Sequence, residues 1–247
     1  MEGFDGSFGK HLALRAMAPF NTITVIGAGS APLSARQLAD LGGHAAMAND
    51  GDALTILAEG LPTEVEGAGA HIAKGYGLRS YTFTKYRSTE PAPDYTVRVH
   101  GSGDSSQSLF ESELAHLVEG VSLARDLGTE PGNTLWPAEF VDRVRTAFSG
   151  VGNIRLRVLD ADDIQNEGMG ALMGVGQGAI HDPRLLVVEY NGGARNEAPI
   201  ALVGKGITFD TGGISLKQND GMWYMKSDLS GAAAVAGAVL SAAKREE

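Results

Sequence analysis

Apolar positions along this chain change period several times, and each change marks an element. Residues 22–30, TITVIGAGS, form a short β-branched run closed by Gly27 and Gly29, and the following APLSARQLADLGGHAA carries a helical pattern. Strand, glycine turn and helix in that order are the repeating unit of an α/β fold. DALTILAEG (52–60) predicts a second strand. GAGAHIAKGYGLRSYTFTKYRS starts as a small-residue helix and runs into an alternating segment at Tyr81, Phe83 and Tyr86. DYTVRVHGSGDSS (94–106) predicts a third strand, alternating at Tyr95, Val97 and Val99, and then a Gly/Ser/Asp-rich stretch that marks a domain boundary.

A long helix is expected over 107–127, where Leu114, Leu117, Val118, Val121 and Ala124 recur at three- and four-residue steps. GTEPGN stops it, because Gly128, Pro131 and Gly132 all oppose helix continuation. PAEFVDRVRTAF (137–148) is a further amphipathic helix. NIRLRVLD (153–160), RLLVVEYNG (184–192) and the PIALVGKG run (199–206) predict strands. Residues 231–243 are Ala-rich and read as a tightly packed helix. The expected class is therefore α/β, with mostly parallel sheets and helices on both faces. Two domains are expected: an N-terminal α/β domain over 1–105 and the N-terminal portion of a second α/β domain over 106–247.

Composition narrows the function classes. At 247 residues, with 43% hydrophobic and 20% charged, the chain can bury a substantial core. The formal charge of −10 argues against a general nucleic-acid surface. It suits a cationic cofactor or metal, and equally ordinary solubility. There are no cysteines, which excludes disulfides, thiolate nucleophiles and cysteine metal sites. A metal would need Asp, Glu, His, Lys or backbone oxygen, a donor set for harder or borderline ions. The absence of disulfides fits the cytosol. No apolar run is long enough to span a membrane, and MEGFDGSFGK has no apolar signal core.

Chemistry concentrates in VGKGITFDTGGISLKQND (203–220), where Lys205, Asp210 and Lys217 crowd the end of an apolar run. The stretch is no P-loop, because no hydroxyl residue follows the lysine of Gly-Lys-Gly. GAGSAP is a weak dinucleotide fingerprint, with Pro32 where a third glycine belongs, and a tight strand-to-helix turn explains it as well. Neither a G-x-S-x-G elbow nor an H-E-x-x-H pair occurs. His11, His44, His71, His100, His116 and His181 are scattered. Asp210 and Asp228, 18 residues apart, are placed to converge on a divalent cation at the carboxyl end of a sheet. The plainer alternative is a helix N-cap for Asp228 and a solvated turn for Asp210.

VGKGITFDTGGISLK followed by MKSDLSGAAAV closely resembles the signature region of the leucyl (cytosol) aminopeptidase family, dizinc or dimanganese exopeptidases. RDLGTEPGNTLWPAEF is similar to that family's interdomain junction, and GMGALMGVGQGAIHDPRLLVVEYNG to the strand and loop before its metal site. VIGAGSAPLSARQLADLGGHAA and GLRSYTFTKYRS fit its macro-like N-terminal α/β domain, so the likeness spans nearly the whole chain. The resemblance implies Lys205, Asp210 and Asp228 as metal ligands, Asp210 bridging two ions and Lys205 binding as a neutral amine. It implies Lys217 as the catalytic cation that stabilises an oxyanion. Met225 would line the pocket for the substrate's first side chain, although core packing explains a methionine equally well. Substrate binding would thus draw on Lys205, Asp210, Lys217, Met225 and Asp228. The implied reaction is hydrolysis of the N-terminal residue, with leucine-type preference, by water activated between two ions (Mn²⁺ or Zn²⁺), with bicarbonate as a further cofactor. Implied partners are peptides with a free N-terminus and further copies in a hexamer, in the cytoplasm.

The family's second ligand cluster is an NTDAEGRL-type motif, and nothing of that kind occurs in the 247 residues. The expectation is a chain truncated at both ends and, on its own, a partial enzyme. A non-catalytic binding or architectural protein on the same fold is the alternative from a different class. The −10 charge and the lack of a basic cluster weigh against nucleic acid as its partner.

Overall fold

The computed structural model describes residues 3–15, 17–49, 53–88, 96–101, 105–194 and 197–247, which fall into two compact units dividing between Val118 and Glu119. In the first unit, strands β1 (His11–Arg15) and β2 (Thr22–Ile26) pair antiparallel. Helix α1 (Ala35–Ala48) follows. Its start is set by Ser34, whose hydroxyl accepts from the Gln37 amide while the Gln37 side chain accepts from the Ser34 amide. Strand β3 (Leu54–Leu57) leads to helix α2 (Ala68–Ser80), and β4 (Val97–His100) pairs parallel with β3. The strand expected over 94–100 is shorter than its alternation, and Tyr95 lies outside the described residues, as do Asp52 and 102–104 of the expected boundary stretch. Residues 81–88 form turns rather than a regular element.

Leu33, Leu38, Leu41, Ala58, Ala68 and Ile72 form the core of this unit. Backbones of α1 and α2 approach so closely that a methyl group on Gly75 would lie 1.8 Å from the Ala39 carbonyl oxygen. Gly27 serves close approach too: a methyl group there would meet the Ser7 carbonyl at 2.2 Å, and backbone bonds join Gly27 to Gly9 and Lys10. Admission of the N-terminal segment thus accounts for this glycine of the GAGSAP turn without a dinucleotide.

The predicted long helix is continuous, running as α3 (Ser105–Leu109), a π-helical turn (Phe110–Leu114) and α4 (Ala115–Thr129). In the second unit come α5 (Pro137–Ala147), β5 (Ile154–Leu159), α6 (Ala161–Asn166), α7 (Gly170–Gly176) and β6 (Leu185–Tyr190). A 3₁₀ turn (Met222–Ser227) then precedes α8 (Ser230–Lys244). Leu127, Leu135, Val144, Phe148, Leu229, Ala233, Ala236 and Leu240 form the core, against which Ile154, Leu156, Leu186 and Val188 pack. The Ala-rich helix is buried on one face, as its composition predicts.

The α/β class holds, but the sheets are small and partly antiparallel. Among the described residues β3–β4 is the one parallel pair; β1–β2 and β5–β6 are antiparallel. Counting intervening helices explains the difference. One helix between strands restores the chain direction and gives a parallel pair. A hairpin, or the two short helices between β5 and β6, reverses it.

The run 199–206 forms no strand. Ile200 is 89% exposed and Val203 92% exposed, so the expected buried strand is an exposed, irregular segment. Strand formation requires a ladder partner, and among the described residues none pairs with this run.

Alanine at Gly75 is expected to lower stability by about 1–3 kcal/mol through overpacking. Alanine at Gly174 in α7, where nothing lies within 4 Å, should raise it by about 0.5–1 kcal/mol. Urea unfolding of the two variants reads this difference in sign.

A pH effect follows from α2. Nδ1 of His71 is buried without a hydrogen-bond partner. Burial, and then the charge of Lys74, lower the pKa of this imidazole against an opposing pull from Glu113. A depressed folded pKa means the unfolded chain binds more protons, so stability falls as pH drops from the ordinary imidazole value through the folded one. Melting temperatures at pH 7 and pH 5 should therefore differ less in His71→Gln than in the parent chain.

Candidate metal centre

The segment 204–206 lies on the first turn of α8. A methyl group on Gly204 would sit 2.5 Å from the Gly231 carbonyl oxygen and 2.6 Å from the Ala232 nitrogen, so backbone must meet backbone here. The Ala232 amide donates to the Lys205 carbonyl at 2.8 Å. This contact sets the Lys205 side chain beside Asp228, with Nζ 2.8 Å from Oδ2. The Asp228 amide donates to the Met225 carbonyl, and the cap position of α8 is Leu229, without a side-chain cap. The Asp228 carboxylate is therefore not spent on an N-cap.

Asp210 is not a solvated turn residue either. Its Oδ1 accepts from the Gly212 amide at 2.8 Å, and its Oδ2 accepts from Lys217 Nζ at 2.8 Å. Gly212 (φ +92°) and Gly213 (φ +84°) carry the chain back through left-handed conformations, and the Lys217 amide donates to the Thr211 carbonyl. Lys217 Nζ also contacts Met225 Sδ at 2.9 Å. The Asp210 amide donates to the Met225 carbonyl at 3.4 Å, which ties the two segments of the site together. All five residues named from the sequence thus meet in one place.

Electrostatics follows from these pairs. The ammonium of Lys217, and then the Gly212 amide, hold the Asp210 carboxyl below the usual carboxylate range. Asp228 holds the proton on Lys205 more firmly than usual, with a smaller contribution from Asp210. Asp228 Oδ2 is buried, with Lys205 Nζ against it at 2.8 Å. Two carboxylates converging beside a lysine amine are a donor set for a cation, so the residues fit a divalent metal. Among the described residues, no group of three or more His, Asp or Glu side chains with metal-site geometry occurs. Oxygen donors with a lysine amine, and no thiolate, suit Mn²⁺ or Zn²⁺.

Two contacts on the site were not legible as such. Lys226 Nζ donates to the Thr129 carbonyl at 2.8 Å, and Phe209 lies against Gly132. The sequence marks Gly132 only as a helix stopper. Of the scattered histidines, His181 stacks on Trp136 with ring centroids 4.5 Å apart.

An α/β chain whose paired lysines and carboxylates fit a cation is, by class, a candidate metalloprotein. Comparison with known proteins defines the class further. The model of the cytosol aminopeptidase family, catalytic domain, matches residues 122–247. A probable cytosol aminopeptidase of Allorhizobium ampelinum is 40% identical over 235 residues, 91% of this chain and 47% of the relative. One of Chelativorans sp. is 38% identical over 94% of this chain and 49% of the relative. Among solved structures, the bottromycin maturation enzyme BotP in complex with Mn aligns with TM-score 0.80 at 28% identity, over 98% of this chain and 51% of that one. A tomato leucine aminopeptidase mutant aligns with TM-score 0.77 at 25% identity, over 97% of this chain and 48% of that one. The chain belongs to the cytosol aminopeptidase family, and it spans about half the length of the curated relatives it matches.

Replacing Gly204 by valine should separate 204–206 from α8, because no side chain fits between two backbones 2.5 Å from the added carbon. A loss of about 1–3 kcal/mol is expected from overpacking. Loss of amide protection at Ala232 in hydrogen exchange would report the separation directly.

Proposed function

We propose that this chain provides metal ligands and an oxyanion-stabilising lysine for hydrolysis of the N-terminal residue of peptides in the cytoplasm, with leucine-type preference. The carrying observation is the convergence of Lys205, Asp210, Lys217, Met225 and Asp228, with the Asp228 carboxylate half-buried against Lys205. Family membership supports the reaction class. BotP, in complex with Mn, supports manganese as one of the candidate ions.

Lys205, Asp210 and Asp228 would hold two divalent ions, Mn²⁺ or Zn²⁺. Such ions acidify water and polarise a carbonyl. The chain's own residues do the remaining work. Asp210 is already ionised, because Lys217 keeps its proton off. Lys217 stands beside Asp210 and Met225 and is the group available to a developing oxyanion. Met225 offers a polarisable wall beside Lys217 for an apolar first side chain. Bicarbonate and a hexameric assembly complete the reading taken from the family resemblance.

A non-catalytic binding protein on the same fold is the second reading, favoured by the small number of acidic ligands among the described residues.

Mn²⁺ titration followed by thermal unfolding separates the two. At a hundredfold excess over Kd, one bound ion should add about 2.7 kcal/mol. For a chain of this size that raises Tm by roughly 5–10 °C. Asp228→Asn and Asp210→Asn should each abolish the shift, while no shift in the parent chain favours the non-catalytic reading.

Lys217→Met makes a different prediction. It frees Asp210, so Mn²⁺ binding should persist or tighten, whereas any leucine anilide turnover that the parent chain supports should fall about 10²–10³-fold. Equal loss of binding and turnover would make Lys217 a structural residue instead.

A further inference from the structure

The turn 129–132 touches both segments of the candidate centre. On one side, Phe209, the residue before Asp210, lies against Gly132. A methyl group on Gly132 would be 2.9 Å from Phe209 Cδ2 and 3.0 Å from its Cβ. On the other side, Lys226 follows Met225 and precedes Asp228 by two residues, and its half-buried ammonium donates to the Thr129 carbonyl. Thr129 is the last residue of α4, where carbonyls lack intrahelical donors and carry the negative end of the helix dipole. A lysine there makes a charge-assisted bond of the stronger kind.

The turn is itself held rigidly. Glu130 is 2% exposed, is ion-paired with Arg143 of α5, and accepts from the Thr134 hydroxyl at 3.3 Å. Arg143 also binds Glu139. Amides of Thr134 and Leu135 donate to the Pro131 carbonyl. A buried charge paired in this way resists displacement, because moving either partner leaves the other unpaired. The turn is thus a fixed platform, and Phe209 and Lys226 are where the two site segments rest on it.

We propose that turn 129–132 is a positioning element for the candidate metal ligands, with Gly132 acting on Asp210 through Phe209 and Lys226 acting on Asp228 through the 3₁₀ turn. The assignment of those aspartates as ligands rests on the reading under Proposed function; the positioning itself does not. Neither Lys226 nor Gly132 touches a reacting group, so their effect is on geometry.

The test compares Lys226→Gln, Lys226→Arg and Gly132→Ala in the full chain by hydrogen exchange without metal, and by Mn²⁺ affinity from electron paramagnetic resonance. Lys226→Gln should speed amide exchange over 222–229 and 207–212 about tenfold, as loss of one charge-assisted bond allows. Exchange in β5, β6 and α5 should change less than at these two segments, with Tm lowered by no more than about 3–6 °C. Mn²⁺ affinity should fall by about the same factor, and Lys226→Arg should restore both readouts. Gly132→Ala has no conformational penalty of its own and should affect 207–212 first, through Phe209. Unchanged exchange at both segments in both variants would overturn the proposal. So would uniform loss of protection across the chain with a larger drop in Tm, which marks a general structural role. If the parent chain binds no Mn²⁺, the metal reading fails while the exchange data still decide the positioning.

Discussion

The candidate centre depends on one backbone-to-backbone contact, that of segment 204–206 with the first turn of α8. Lys205 is placed against Asp228 by it. The Lys205 carbonyl accepts from the Ala232 amide, one of the four N-terminal amides a helix cannot satisfy internally. A single bond therefore ends the helix properly and fixes a lysine beside the aspartate that precedes it. The small residues in SGAAAVAG serve two surfaces at once. Gly231 and Ala232 admit segment 204–206, while Ala233 and Ala236 fill the core with Leu229 and Leu240. Larger side chains would lift the loop, and Lys205 would lose Asp228.

The second segment is anchored differently. Asp210 sits in a turn fixed by two left-handed glycines and by its own bond to the Gly212 amide, so its direction is local. Its position relative to Asp228 is not local. It comes from the Met225 carbonyl, which accepts from both the Asp210 and Asp228 amides, and from Lys217, which spans Asp210 and Met225. The 3₁₀ turn is thus the hinge piece between the two carboxylates.

Much of this was legible in the sequence, for identifiable reasons. Lys205, Asp210, Lys217, Met225 and Asp228 lie within 24 residues of one another in two runs whose glycines announce tight turns. Strands β2 to β6 and helices α1, α4 and α5 have apolar periods strong enough to read, and α2 and α8 show through their runs of small residues. The helices α6 and α7 do not, because ADDIQN and GALMGVG are short and rich in Asp or Gly. Missing them, a reader expects a parallel sheet where the chain builds an antiparallel pair. The run 199–206 fails for the opposite reason. Its β-branched composition is that of a strand, but composition supplies no ladder partner, and Val203 stays exposed. Lys226 is a third case. Its partner Thr129 lies 97 residues away, and no local pattern encodes a bond of that span.

Charge balance also shapes what the site can do. Two ammonium groups and two carboxylates sum to zero, which is why the pairs are stable without a cation. A dication entering beside them meets attraction from the aspartates and repulsion from the lysines at similar range. The balance tips only if the lysines yield their places on the oxygens. The two lysines are unequally placed to do so. Lys205 is anchored by its backbone on α8, so its amine stays close to Asp228 whatever occupies the oxygen. Lys217 approaches Asp210 from the far side of a glycine turn and has Met225 as a second contact. It can leave the carboxylate and remain in the site. The same geometry that pairs Asp210 with Lys217 would thus keep a cation at hand if a metal took the aspartate.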